Sequence, residues 1–436
     1  MNCGVGPACL ASILLLAGCA AASRREAPLL GYRDATPVGF AGDVMYIDEA
    51  RQESAGGAMP LLWRARQATA GQPINVLALS GGGGGVAFGA GALVGWSRTG
   101  TRPDFQIVTG VSAGALLAPL AFLGPKWDAT VTETFSGATT RHLLQPRLLG
   151  ALFGASVYRG QPLVDLVNGF VSDELLRAVA AESKRGRLLL VATTDLDHER
   201  TVIWDMGRIA AEGGERGRRL FRDVLVASAS IPGLLPPVLI RVQEAGIEFD
   251  EMHVDGDTTV PLFITPRVAA IAPEEVRGLQ GATVYVIVNG QLGGQPMTTP
   301  VRTVSIVRRG VNVALESSSR AAVEAALSVS NRAGMTLRVS EIPDDYPFTG
   351  WLDTRPANVA ALFNFGVRCG SQDRLWGSAA HALAHNKSSA YATLGVSPEC
   401  PSSSAPPRDE ARPVIAARAQ GATTAVSAEA LAVVSP

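Results

Sequence analysis

Five consecutive glycines, Gly81 to Gly85, follow the apolar run Asn75-Val-Leu-Ala-Leu-Ser80, and Gly110-Val-Ser112-Ala-Gly114 closes the next apolar run along the chain. A glycine run at a strand end exposes backbone N–H groups to an anion, because no Cβ stands in the way. A G-x-S-x-G sequence between strand and helix makes an elbow that presents a serine hydroxyl beside such a site. Together the two supply a nucleophile and oxyanion donors, which are the parts of acyl transfer through serine. A third feature is Met252-His-Val-Asp255-Gly256-Asp257, where an apolar strand meets the Asp-Gly dipeptide. In isolation it reads as an ordinary turn, but a carboxylate at a strand end can also reach back over a sheet edge to take a serine proton.

Spacing and context decide how much weight each motif bears. With 47 glycines in the chain, a bare G-x-S-x-G is expected by chance roughly a third of a time. Here it stands between an apolar β run and an apolar helical run, the setting an exposed nucleophile requires. No dinucleotide-binding G-x-G-x-x-G can be set within Gly81 to Gly91, since Val86, Ala87 and Phe88 fall on required glycines. No Lys-Ser or Lys-Thr follows the run, which removes the P-loop reading.

The elements that must hold these residues follow from hydrophobic periodicity. Asn75 to Leu79, Phe105 to Thr109, Arg187 to Thr193, Thr201 to Trp204, Val238 to Val242, Ile247 to Val254 and Thr283 to Asn289 read as strands. Val86 to Trp96, Ala113 to Phe122, Gln161 to Phe170, Asp173 to Ser183, Val304 to Ser330, Asn358 to Phe365 and Leu375 to Leu394 read as helices. Strands alternating with helices imply an α/β domain with a mainly parallel sheet covered on both faces. Residues 71–400 are expected to form that domain, 19–70 a tether and capping segment, and 401–436, poor in aliphatic clusters and lacking aromatics, a disordered tail.

A formal net charge of −1 over 436 residues leaves no electrostatic footprint for nucleic acid. Ala8 to Leu16 is apolar but too short to span a bilayer, and it ends in Leu16-Ala17-Gly18-Cys19. This resembles a bacterial lipoprotein signal, which implies removal of residues 1–18 and lipidation of Cys19. Met1 to Ala8 departs from that pattern by carrying no Lys or Arg, and an ordinary secretory signal is the alternative. Ala20 after the cysteine points to the outer membrane facing the periplasm, with acyl chains as the membrane anchor. Cys369 and Cys400 are then the thiols left over, and an oxidising compartment makes a disulfide between them plausible.

Four ordered segments resemble the patatin-like phospholipase family. Leu79-Ser-Gly-Gly-Gly-Gly is similar to its glycine-rich block, Gly110-Val-Ser-Ala-Gly114 to its elbow and Asp255-Gly256 to its Asp-Gly-Ala/Gly block. Between them, Ala227-Ser-Ala-Ser-Ile-Pro-Gly-Leu-Leu-Pro-Pro-Val238 resembles its Ala-Ser-x-Ala-x-Pro-x-x-Phe/Leu-Pro-Pro segment. The resemblance implies a three-layer α/β/α hydrolase fold and a lipid acyl ester substrate, phospholipid or lysophospholipid foremost. It further implies a Ser112–Asp255 dyad, an oxyanion hole at Gly81, Gly82, Gly83 and Gly84, and neither metal nor organic cofactor. Two departures stand out. Gly85 and Val86 replace the family's basic residue and glycine, which removes a cation and leaves more room. Asp257 replaces Ala or Gly, and its charge is expected to raise the proton affinity of Asp255.

Competing readings rest on other residues. A Ser-Asp-His triad would need a histidine after the acid in chain order, and only His381 and His385 satisfy that. Their spacing places both on one helical face, where a solvated or capping pair is the commoner meaning. His253, two residues before Asp255, should point the same way. Asp195-Leu-Asp197-His198-Glu199 invites a metal, but alternation along a strand end and turn should scatter those groups. Leu148, Leu149, Leu152 and Phe153, within the segment 143–153, have the spacing of an amphipathic lid or of ordinary core. A noncatalytic envelope lipoprotein that binds lipid in the same cleft is the reading from a different class.

Overall fold

The computed structural model describes residues 24–26, 28, 35–40, 44–47, 59–69, 71–140, 143–147, 155–264, 279–293, 298–384 and 398–402. The expected signal peptide, Cys19, His385, the leucines of the expected lid and most of the expected tail lie outside the described residues.

Two short strands, β1 (Thr36–Pro37) and β2 (Met45–Ile47), precede helix α1 (Met59–Gln67). Strand β3 (Asn75–Leu79) leads through the glycines into α2 (Val86–Arg98), and β4 (Ile107–Val111) leads through Ser112 into α3 (Ala113–Leu123). Helices α4 (Asp128–Phe135), α5 (Gln161–Phe170) and α6 (Asp173–Lys184) come next, then β5 (Leu188–Asp195) and β6 (Arg200–Asp205). Helices α7 (Met206–Glu212) and α8 (Gly214–Ser228) precede β7 (Val238–Glu244) and β8 (Ile247–Asp255). Strand β9 (Thr283–Val288), helix α9 (Thr303–Ala333), β10 (Thr336–Glu341), α10 (Pro356–Ser371), β11 (Gly377–Ser378) and α11 (Ala379–Ala384) complete the order.

The strands join one sheet in the order β1-β7-β8-β5-β4-β3-β9-β10-β11, with β6 also on β5 and β2 on β6. Its centre, β5-β4-β3-β9-β10, is parallel throughout, and antiparallel pairs flank it. Alternation along those central strands sorts their side chains into two cores. Leu77, Leu79, Val108, Leu189, Val191 and Ile287 join a cluster with α2, α3, α8 and α10. Val76, Ala78, Ile107, Val111, Leu190 and Val286 join another with α1 and the C-terminal half of α9. The sheet therefore separates two helical layers, a three-layer α/β/α arrangement, because period-two strands buried on both faces need cover on both.

Several boundaries differ from the periodic reading. Strand β4 starts two residues later than expected, because Phe105 turns into an aromatic cluster with Trp96 and Tyr285. The helix expected over 375–394 instead begins at Ala379, where the Ser378 hydroxyl accepts the N–H of His381, and the preceding pair extends the sheet edge against β10. The expected capping segment contributes α1, whose Leu61, Leu62 and Ala65 are buried. Cys369 of α10 is bonded to Cys400, with Cα atoms 5.5 Å apart. Among the described residues, no helix is long and apolar enough to cross a membrane.

Candidate functional site

The parallel centre of the sheet brings the C-terminal ends of β3, β4 and β9 to one edge, where three of the sequence motifs meet. Ser112 sits between β4 and α3 with φ 52 and ψ −130, a positive φ that a non-glycine residue adopts only when its surroundings enforce it. The flanking glycines explain the enforcement. A Cβ on Gly110 would lie 2.8 Å from Ala115 Cα, and one on Gly114 would lie 2.4 Å from the Ser80 carbonyl oxygen. Only glycine lets α3 leave the strand so steeply while lying against β3.

Asp255 reaches the same place from an antiparallel strand. Strand β8 enters from beyond the sheet edge, pairing His253 with Asp195 and Asp255 with Thr193, so that it ends beside the last residues of β4. The Ser112 hydroxyl donates to Asp255 Oδ2 at 2.7 Å, and the other carboxylate oxygen, Oδ1, accepts the Asp257 N–H at 2.9 Å. Both residues are buried, Ser112 3% and Asp255 1% exposed. Burial lifts the Asp255 carboxyl to about 7 against the opposing pull of the Ser112 hydroxyl and the Asp257 N–H. A group with that affinity can accept a serine proton near neutrality and give it back.

Both carboxyl groups of the pair are raised. Burial, and then repulsion from Asp255, pushes Asp257 well above the ordinary carboxyl range. Asp257 Oδ1 is sealed from solvent without a hydrogen-bond partner, as suits a carboxyl that keeps its proton. Its carboxyl group also fills the space beside Gly81, where a Cβ would lie 1.9 Å from Asp257 Oδ2.

Two of the four expected donors are already engaged within the protein. The N–H of Gly81 donates to Pro261 O at 3.2 Å, and that of Gly84 to Trp351 O at 2.8 Å. Among the described residues, the N–H groups of Gly82 and Gly83 have no such acceptor and are the ones left for an anion. Gly85 opens no extra room, since a Cβ there would lie 2.0 Å from Asn289 O. Two residues to which the sequence assigned no role hold this loop and the elbow. Asn289, just past β9, donates its side-chain amide to Ser80 O and its N–H to the Ser80 hydroxyl. Ser228, at the end of α8, accepts the Ser112 N–H and donates to Ala192 O, while Ser230 O accepts the Asp255 N–H. The segment from Ala227 to Val238 thus fastens Ser112 and Asp255 together, a role visible only once β5 and β8 are paired.

No histidine partners Ser112 or Asp255 among the described residues. His381 lies on α11, next to β11, four strands from β4 in the sheet order, or roughly 19 Å at the usual strand spacing. His253 is bound instead by Thr193 and Glu251. The expected scatter holds for Asp197, which is bound by Arg24, and for the exposed Glu199, but not for Asp195 and His198. Pairing of β5 with β8 brings Asp195, His198 and Glu251 within 4.8 Å of one another. Arg200 fills the position a cation would take, contacting Asp195 at 3.1 Å and Glu251 at 3.3 Å. An open cleft lined by Thr130, Glu133, Leu143, Asp165 and Phe170 contains neither Ser112 nor Asp255.

A protein-family model described as patatin-like phospholipase matches residues 77–264. Among solved structures, one described as the crystal structure of VipD from Legionella pneumophila is 13% identical with a TM-score of 0.32, over 69% of this chain and 67% of that chain. No curated protein matches the chain.

Proposed function

For a chain whose residues 77–264 match the patatin-like phospholipase family model, we propose hydrolysis of lipid acyl esters through a covalent intermediate on Ser112. The observation that carries this reading is the 2.7 Å hydrogen bond from the Ser112 hydroxyl to Asp255, made at a strained elbow. Asp255 takes the hydroxyl proton as Ser112 Oγ attacks the ester carbonyl carbon. The N–H groups of Gly82 and Gly83 receive the charge that develops on the carbonyl oxygen. Collapse breaks the bond to the alcohol oxygen, which takes the proton back from Asp255 and departs. Water then repeats the sequence, with Asp255 accepting its proton, and releases the fatty acid from Ser112.

Phospholipids and lysophospholipids are the substrates this reading favours. Leu16-Ala17-Gly18-Cys19 supports an acyl anchor at Cys19 and an outer-membrane location facing the periplasm, which incorporation of labelled palmitate into wild type but not Cys19→Ser would test. The hydrolase itself is tested by a fluorophosphonate probe. Intact protein should form an adduct that Ser112→Ala lacks. Absence of any Ser112-dependent adduct would leave a lipid-binding lipoprotein in its place.

A further inference from the structure

Helix α9 changes character halfway along. Its C-terminal half is anchored, with Val323 and Ser330 fully buried and Ala326 and Ala333 nearly so. Its start projects apolar side chains outward: Ile306 is 52%, Val307 58%, Val311 39% and Val313 49% exposed, and Val301 just before the helix is 95% exposed. At 100° per residue, Ile306, Val307, Val311 and Val313 span an arc of roughly 160°, with Gly310 in its middle. Five of the nine large hydrophobic residues that the described structure exposes fall within this one stretch. A patch of that kind on a water-soluble face is a mark of contact with something else.

Charge and place indicate what that is. Arg302, Arg308 and Arg309 are the only ionisable residues between Gly290 and Leu315, so the stretch is cationic until Glu316. Arg302 is exposed at the helix start. Asn312 stands next to Gly350, within 4.0 Å of where a Cβ would project. The following residue, Trp351, accepts the Gly84 N–H, so a single loop links the glycines of the site to the exposed half of α9. An apolar arc beside arginines, lying next to a site for lipid esters, fits the boundary of an anionic bilayer better than another folded protein.

We propose that the N-terminal half of α9, with Val301 and Arg302, is the surface on which this protein lies on an anionic phospholipid bilayer, bringing the glycine loop to the lipid. The choice of a lipid surface rests on the hydrolase reading, but binding can be measured without turnover. Full-length protein carrying Cys19→Ser, which removes any acyl anchor, is mixed with vesicles of equal parts phosphatidylcholine and phosphatidylglycerol and sedimented. It should pellet with them, and less so as salt rises. Ile306→Asp with Val307→Asp should weaken partitioning by at least about tenfold, since each charge replaces a side chain that enters the interface. Arg302→Glu, which leaves the apolar arc intact, should weaken it on anionic vesicles and not on pure phosphatidylcholine. Circular dichroism and the thermal midpoint establish that each variant is folded. Equal binding by folded wild type and variants, no binding by wild type, or a wild-type dimer that the Ile306/Val307 variant splits would each overturn the proposal. Ser112 labelling by fluorophosphonate with no vesicle binding rejects this surface alone. Vesicle binding without labelling keeps the surface and rejects the hydrolase.

Discussion

Two carboxyl groups lie at the site, and their surroundings give them different work. Asp255 holds the serine hydroxyl, whereas Asp257 is sealed against the glycine loop with an oxygen that has no partner. Asp255→Asn removes the proton acceptor and should lower kcat about a thousandfold. Asp257→Asn keeps shape and neutrality, so its kcat should stay within about tenfold of wild type. Steady-state kinetics on one soluble ester decides, and a reversed ranking would transfer the role of base to Asp257. The pH dependence has a definite sign. In the proposed mechanism the working form of Asp255 is ionised, and burial has raised its proton affinity to about 7. As pH falls through that value the base becomes protonated, so kcat/KM should fall on the acid side of neutrality. An acid limb near the ordinary carboxyl range would contradict the burial of Asp255.

At the scale of elements, the glycine loop and the end of β8 fit only as a pair. Gly81→Ala would drive a methyl group into the Asp257 carboxyl, 1.9 Å away, and should strip most activity and some stability. Asp257→Gly in the same chain removes the obstruction, so the double variant should recover activity that the Gly81→Ala single lost. Equal loss in both would place the damage elsewhere. The same elements mark how far the sequence could be read. Strand, glycines, elbow and acid were legible because each has a local signature: apolar run, breaker, special residue. Asn289 and Ser228 were not, since their work consists of hydrogen bonds to Ser80 and Ser112, partners remote in the chain. Helix α8 was passed over although Leu220, Phe221, Val224 and Leu225 are buried along it, because four arginines and a glycine pair at its start obscured the apolar stripe. The acidic cluster misled in part. Local alternation predicted dispersal, which Asp197 and Glu199 show, whereas strand pairing brought Glu251 to Asp195 and His198 beside Arg200.

Over the whole molecule, the centre of the sheet is the rigid part and the site lies at one of its edges. Leu77, Val108, Leu189 and Val191 are all inaccessible, so the strand ends that carry the glycines and Ser112 are fixed from below. Helix α10, packed against α2, is tied by a covalent link. Cys369 to Cys400 spans 31 residues, and removing it should cost about 3 to 4 kcal/mol in the chain-entropy model. Thermal unfolding of Cys369→Ser with Cys400→Ser, beside wild type with and without reductant, measures this. A midpoint that does not move would mean that the closed loop contributes nothing to stability. Fold class could be inferred from the sequence, through alternation of strand and helix. The antiparallel entry of β8 could not, and it is that entry which delivers Asp255 to the elbow.

The packing of Asp257 against Gly81 also constrains how such a chain can change through descent. While the Asp257 carboxyl keeps its place, alanine at 81 is disfavoured, and it becomes easier once the aspartate gives way to a smaller residue. The two positions are therefore expected to change together, with the acid going first.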